Sequence, residues 1–209
     1  SASGKSIALL LDMYEKKQLV LTSFDLPAAE RIRNSNKEDA RGIAIWDAVK
    51  NRYEAERKAF KSKLTKYMAI AEKKGGEAKA GKVLFQTCLL CHKVGNEGKN
   101  IAPALDGSAS RENEALLTAI LDPDAAVESN YAVYRITKKN GSTIEGYLVN
   151  KNNRGTTIAF MGGSQVFVEA GAIQSQGFLG GRSFMVKGLI DQYSDKQVAD
   201  LLAYIRTIK

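Results

Sequence analysis

Cys88-Leu89-Leu90-Cys91-His92 is the stretch on which the reading of this chain turns. Two thiols three positions apart fall on one face of a helical turn, and an imidazole follows the second at once. The 209 residues contain one histidine and two cysteines, all within these five positions. Four kinds of chemistry use such a pair: a structural disulfide, a redox dithiol, half of a zinc site, and covalent attachment of a c-type haem. A closed zinc site needs about four ligands, and with no further Cys or His two of them would have to be carboxylates. A redox pair usually sits on a βαβ pattern, whereas what precedes Cys88 reads as helix with no strand before it. The attachment reading uses all three residues: each sulfur can add to one porphyrin vinyl group, and His92 can reach the iron.

The rest of the composition is ordinary. With 44% hydrophobic and 26% charged residues the chain can fold as one large domain or two small ones. Its strongest apolar runs, such as Ile7 to Leu11, are far shorter than the ~18 residues of a membrane span. Ser1 to Ser6 carries no secretory signal. Because covalent haem attachment of this kind is carried out outside the cytoplasm in bacteria, a periplasmic or otherwise extracytoplasmic location is expected, with a signal and a preceding domain upstream. Net charge is +8, and residues 50–82 hold eleven Lys or Arg against four Glu, a local +7. The cations at Lys50, Arg57, Lys58, Lys61 and Lys63 alternate with apolar positions at helical spacing, which describes the wet face of an amphipathic helix. No base-reading motif accompanies them, so an acidic redox partner is expected and nucleic acid is not.

The chain reads as helical up to Gly75-Gly76, giving an α-helical segment over residues 1–76. Expected there are helices from Ile7 to Lys17, from Pro27 to Arg33, and from Lys37 capped by Asn36, then one long helix or two broken near Asn51. A second unit, residues 77–209, opens with a helix through Thr87, continues with a helix from Arg111 to Leu121 capped by Ser110, and closes with a helix introduced by the capping box Ser194/Gln197. Between the last two, residues 131–176 change character. Tyr131 to Thr137 and Ser142 to Asn150 flank the Asn140-Gly141 turn, and two more strands follow near Thr156 to Phe160 and Gln165 to Glu169. The fold class expected is mainly α, with a small antiparallel β insertion.

With His92 on one side of an iron, no second histidine can take the other, and methionine is the ligand most compatible with an electron carrier. Met13 and Met68 lie on helical core faces, and Met161 sits in a tight turn. Met185 lies in the loop before the closing helix, and Lys187 or an open position are the alternatives to a methionine. An open or exchangeable position would make the chain a haem enzyme or gas sensor. A third possibility is a non-haem binding domain that uses only its basic helices.

Gly81 and Phe85 on the helix before the motif, with Tyr204 on the last helix, resemble the crossed first and last helices of class I cytochrome c. Ile101-Ala102-Pro103-Ala104-Leu105 resembles the Gly-Pro-x-Leu segment of that class, with Ala102 in place of the glycine. The resemblance implies that the Pro103 carbonyl orients His92, and, since the distal methionine loop of that class lies where Met185 does, that Met185 is the candidate distal ligand. Gly81-Lys82-x-Leu84-Phe85, Ile120-Leu121-Asp122-Pro123 through Tyr131, the Gly141 to Gly146 hairpin, Ser183-Phe184-Met185 and Asp200-Leu201-Leu202-Ala203-Tyr204 together resemble one more specific family. It is the haem-binding domain at the C-terminal end of large multidomain proteins of Planctomycetes, Verrucomicrobia and Bacteroidetes. Relatives usually carry Met-Pro where this chain has Met185-Val186, and the region from Ile7 to about Met68 is similar to the end of the helical-repeat segment that often precedes the domain. The resemblance implies one covalent haem c, no catalysis by this module, and electrons accepted from an attached or partner dehydrogenase.

Overall fold

The computed structural model describes residues 2–21, 24–73 and 75–209; Ser1, which opens the expected helical segment, and Lys74, one of the cations of the basic stretch, lie outside the described residues. Helix accounts for 49% and strand for 21% of the chain, a more mixed composition than mainly α. Two compact units divide it, residues 1–62 and 63–209.

The first unit holds α1 (Ala2–Glu15), α2 (Leu26–Ser35) and the N-terminal part of α3 (Ala40–Glu72). Leu11, Ala29, Ile32, Ile45 and Val49 form its buried core. Asp25 caps α2 by accepting the Ala28 N–H at 2.7 Å, and Pro27 occupies the first turn, where a missing N–H costs nothing. The cap of α3 differs from expectation. Asn36 accepts from Glu38 N–H at 3.2 Å, and Asp39 takes the Arg41 N–H of the helix start at 2.9 Å. No break occurs at Asn51, since residues 43–74 contain neither glycine nor proline and one Asn is too weak a breaker.

The second unit begins with the end of α3 and continues through α4 (Ala78–Phe85), a single 3-10 turn at Cys88–Leu90, the short ribbon β1 (Lys93–Val94) and β2 (Glu97–Gly98), and α5 (Asn113–Leu121). A five-stranded sheet follows: β3 (Ala132–Lys138), β4 (Thr143–Asn152), β5 (Gly155–Ala159), β6 (Gln165–Glu169) and β7 (Ile173–Ser183). Then α6 (Asp195–Ile205) closes the chain. Ser110 does not cap α5, because its hydroxyl donates to Gly107 O and Glu112 is the N-cap residue. At α6 the capping box is present in full: Ser194 Oγ accepts from Gln197 N–H, and Gln197 Oε1 accepts from Ser194 N–H.

Helices α4 and α6 cross with their backbones in contact. A Cβ at Gly81 would lie 1.9 Å from the Asp200 carbonyl oxygen, so only glycine allows this approach. Below the crossing, Phe85 and Tyr204 pack ring against ring at 5.1 Å. Asp200, nearly fully buried, accepts the Glu77 N–H at 2.6 Å and so caps α4 from the neighbouring helix, while Lys196 Nζ donates to the same oxygen at 2.5 Å.

The sheet is antiparallel throughout, in the order β6-β5-β4-β3-β7. One face carries its own core of Tyr134, Ile136, Ile158 and Val168. The sheet extends beyond the expected residues 131–176, because β7 runs to Ser183. As an edge strand that pairs only with β3 and is mostly exposed, β7 needs no apolar alternation, and its Gly177, Gly180 and Gly181 hide it from pattern reading.

Two outcomes follow from the α4/α6 crossing. Gly81→Ala should destabilise the protein by about 2 kcal/mol or more, measured by denaturant unfolding, because the added methyl meets backbone and no side chain can yield. The Lys196 ammonium, then the Glu77 N–H, hold the Asp200 carboxyl below its ordinary value of 3.8. The stability it contributes is therefore present above that value and is lost as pH falls through the depressed folded value. Asp200→Asn should lower stability at neutral pH and flatten its decline below about pH 4.

Candidate functional site

The end of α4 delivers the Cys-Leu-Leu-Cys-His segment as a tight turn. Cys91 N–H and His92 N–H both donate to Cys88 O, at 3.2 and 2.9 Å. Ribbon β1/β2 then reverses the chain, and Lys99 N–H returns to His92 O at 3.2 Å. Gly98 makes the return possible: its φ is +85°, and a Cβ there would stand 2.2 Å from His92 O. Ile101 and Ala102 next donate to Cys91 O, which sets Pro103 beside the imidazole. His92 Nδ1 lies 2.6 Å from Pro103 O. A carbonyl only accepts, so Nδ1 carries the proton and Nε2 keeps its lone pair. Burial holds the imidazole below its usual range and so favours the neutral ring, against the opposing, smaller pull of the Pro103 hydrogen bond toward the charged form.

Both thiols are free and partly covered. Burial pushes Cys88 up to about 11 and also raises Cys91, the latter against a hydrogen bond from the Gly162 backbone. They are thus protonated at neutral pH. Among the described residues no group of three or more His, Cys, Asp or Glu could hold a metal ion, so the donors here are two thiols, one imidazole and thioethers.

Cys88, Cys91 and His92 open onto a cavity of about 740 Å³, a volume usual for a cofactor site, whose lining also includes Met161, Met185 and Tyr147. Leu116 of α5 and Ile205 of α6 contribute to its mostly apolar wall. Met13 and Met68 are not part of this lining. Met161 is 53% exposed, on the turn between β5 and β6 that touches the Cys88–Leu90 turn. Met185 is half-buried in the loop after β7. Lys187 is turned toward carboxylates, its ammonium 2.7 Å from Asp122 and 3.1 Å from Asp124.

Tyr147 had no signal in the sequence. It is the fifth residue of β4, opposite in facing to the sheet's own core, and it meets Tyr131 and Phe184 edge to face at 6.3 and 5.3 Å. Burial, then the nearby Cys91, pushes its phenol up to about 12, so it stays neutral.

The sequence model of the family described as Cytochrome c matches residues 78–209, which begins at α4, includes the whole sheet and covers well over half the chain. The chain belongs to the cytochrome c family. Membership implies electron transfer by a covalently bound haem, and it accounts for a cavity that joins two thiols to an imidazole. Among curated proteins no match is found. No described helix of this cytochrome c is long and apolar enough to cross a membrane.

Proposed function

We propose that residues 77–209 form a one-electron carrier, extracytoplasmic in location, with a single haem c held by Cys88, Cys91 and His92 and with Met185 as the second axial ligand. The observation that carries this reading is the 2.6 Å contact of His92 Nδ1 with Pro103 O, which leaves Nε2 available in a cavity shared with both thiols and Met185. Each Cys S–H would add across one vinyl double bond, sulfur to one carbon and hydrogen to the other, so the protonated thiols lose nothing to a leaving group. Bound haem supplies a one-electron iron couple, and Met/His ligation raises its potential. Pro103 holds the imidazole in one tautomer, and the apolar wall keeps water from the ligands.

Met185 is favoured over Met161 because it is the less exposed and sits on a tethered loop, and over Lys187 because that ammonium is engaged by Asp122 and Asp124. Two protein ligands leave the iron no place for substrate, which favours a carrier over a haem enzyme or gas sensor. The donor in this reading is an attached or partner dehydrogenase, and residues 1–76 are the end of a helical-repeat segment preceding the domain.

Denatured protein is expected to retain haem mass and colour. Met185→Ala should lose the weak sulfur-to-iron absorption band and show a lower potential. An unchanged spectrum would move the ligand to Met161, while tight carbon monoxide binding by the wild type would favour the sensor or enzyme.

Charge bears on the partner. Within the basic stretch, Lys63, Lys66 and Lys82 already pair with Asp191, Asp195 and Glu97. Among the described residues Arg57, Lys58, Lys73 and Lys79 have no such pair, so long-range attraction of an acidic partner falls mainly to them. Lys58→Glu and Lys79→Glu should slow reduction by an acidic donor at low salt, and the difference should fade above about 0.1 M, where the screening length is ~10 Å. Rates indifferent to salt and to both substitutions would remove steering from the account.

A further inference from the structure

We propose that Asp124 is a positioning residue for Met185, holding both ends of the loop 183–187 that presents the thioether. This rests on the reading of Met185 as an iron ligand. Asp124 Oδ1 accepts the Ser183 N–H at 2.7 Å, across 59 positions of sequence. Its other oxygen, Oδ2, lies 3.1 Å from Lys187 Nζ. One carboxylate therefore grips the residue two before Met185 and the residue two after it. Ser183 passes the constraint inward, since its hydroxyl accepts the Met185 N–H at 3.1 Å.

The loop needs an outside clamp. Gly180-Gly181 precede it and Gly188 follows it, with φ of +69° at Gly181 and +79° at Gly188, so beside the loop only Arg182, 3.3 Å from Glu145, adds a side-chain tie on the β7 side. Phe184 and Met185 are only half-buried, and Val186 is exposed, so packing alone leaves the segment weakly held. Asp124, by contrast, is mounted on rigid structure. It follows the buried Pro123, whose φ is fixed by its ring, and Asp122, whose N–H closes the last turn of α5 on Thr118 O at 2.8 Å. Helix α5 forms part of the wall of the same cavity. The carboxylate thus refers the height of Met185 to the wall on which the porphyrin would rest, and a looser clamp would let the sulfur leave the iron more often.

The test uses holoprotein and reads amide hydrogen exchange beside the sulfur-to-iron band and the potential. Asp124→Ala should speed exchange of the Ser183 amide roughly tenfold, as expected for a lost hydrogen bond to a charged acceptor. It should also weaken the band and lower the potential while haem content stays the same. Asp124→Asn, which keeps an acceptor for Ser183 N–H but not the charge facing Lys187, should restore much of the Ser183 protection and of the band. Ser183→Ala is the milder second variant, and it should speed exchange at Met185 and weaken the band. A wild-type band that neither Asp124→Ala nor Ser183→Ala alters overturns the positioning role and leaves Met185 ligation standing. Absence of the band from the wild type, with Met185→Ala silent, overturns the ligand reading and the proposal built on it. Those two failures are distinguishable, because exchange at Ser183 reports the clamp whatever binds the iron.

Discussion

Backbone contact between α4 and α6 is the constraint from which the rest of the cytochrome unit follows. With no side chain at Gly81, the Asp200 carbonyl can lie against the helix, and Phe85 and Tyr204 then meet beneath the crossing. From that point α4 has only one place to release the chain, and the Cys88–Leu90 turn emerges at the cavity. The other helix extends the effect. Past its end, Ile208 O accepts the Ala109 N–H at 3.0 Å, and Arg206 donates to the carbonyls of Ala109 and Arg111, at 2.9 and 2.5 Å, just ahead of α5. Three helices that wall the cavity are thereby referred to one contact.

Around His92 the order is local and depends on turn chemistry. A turn bond to Cys88 O, a two-strand ribbon and a left-handed Gly98 bring Pro103 back within hydrogen-bond reach eleven residues later. The result is electronic as well as geometric. Fixing the proton on Nδ1 leaves Nε2 as the ring nitrogen with a free lone pair.

The sheet is a second, self-sufficient layer whose apolar face is satisfied by its own strands. Its contribution to the cavity comes from the opposite facing and from the connections. Tyr147 projects toward Tyr131 and Phe184, the β5/β6 turn brings Met161 beside the Cys88–Leu90 turn, and β7 runs directly into the Met185 loop. A sheet built in this way can shape the Met185 side of the cavity while leaving the α4/α6 crossing untouched.

The amino-acid sequence by itself determined what depends on near neighbours. The Cys88-to-His92 spacing, the Ser194/Gln197 capping box, the Asn140-Gly141 hairpin and the small residue at Gly81 are all set by interactions a few positions apart or by one special residue type. Other features were decided only in the tertiary structure. Of the two readings left open at Asn51, one long helix or a break, the structure takes the unbroken helix, in which the helix formers on either side outweigh a single poor one. Strand β7 exists because β3 offers a free edge, not because its own glycine-rich residues favour extension. Asp124, Tyr147 and the Lys187 pairing carry no local signature, since each acquires its role from a partner tens of residues away: a carboxylate or a tyrosine reads the same in sequence whether it meets water or the loop beside a cofactor cavity.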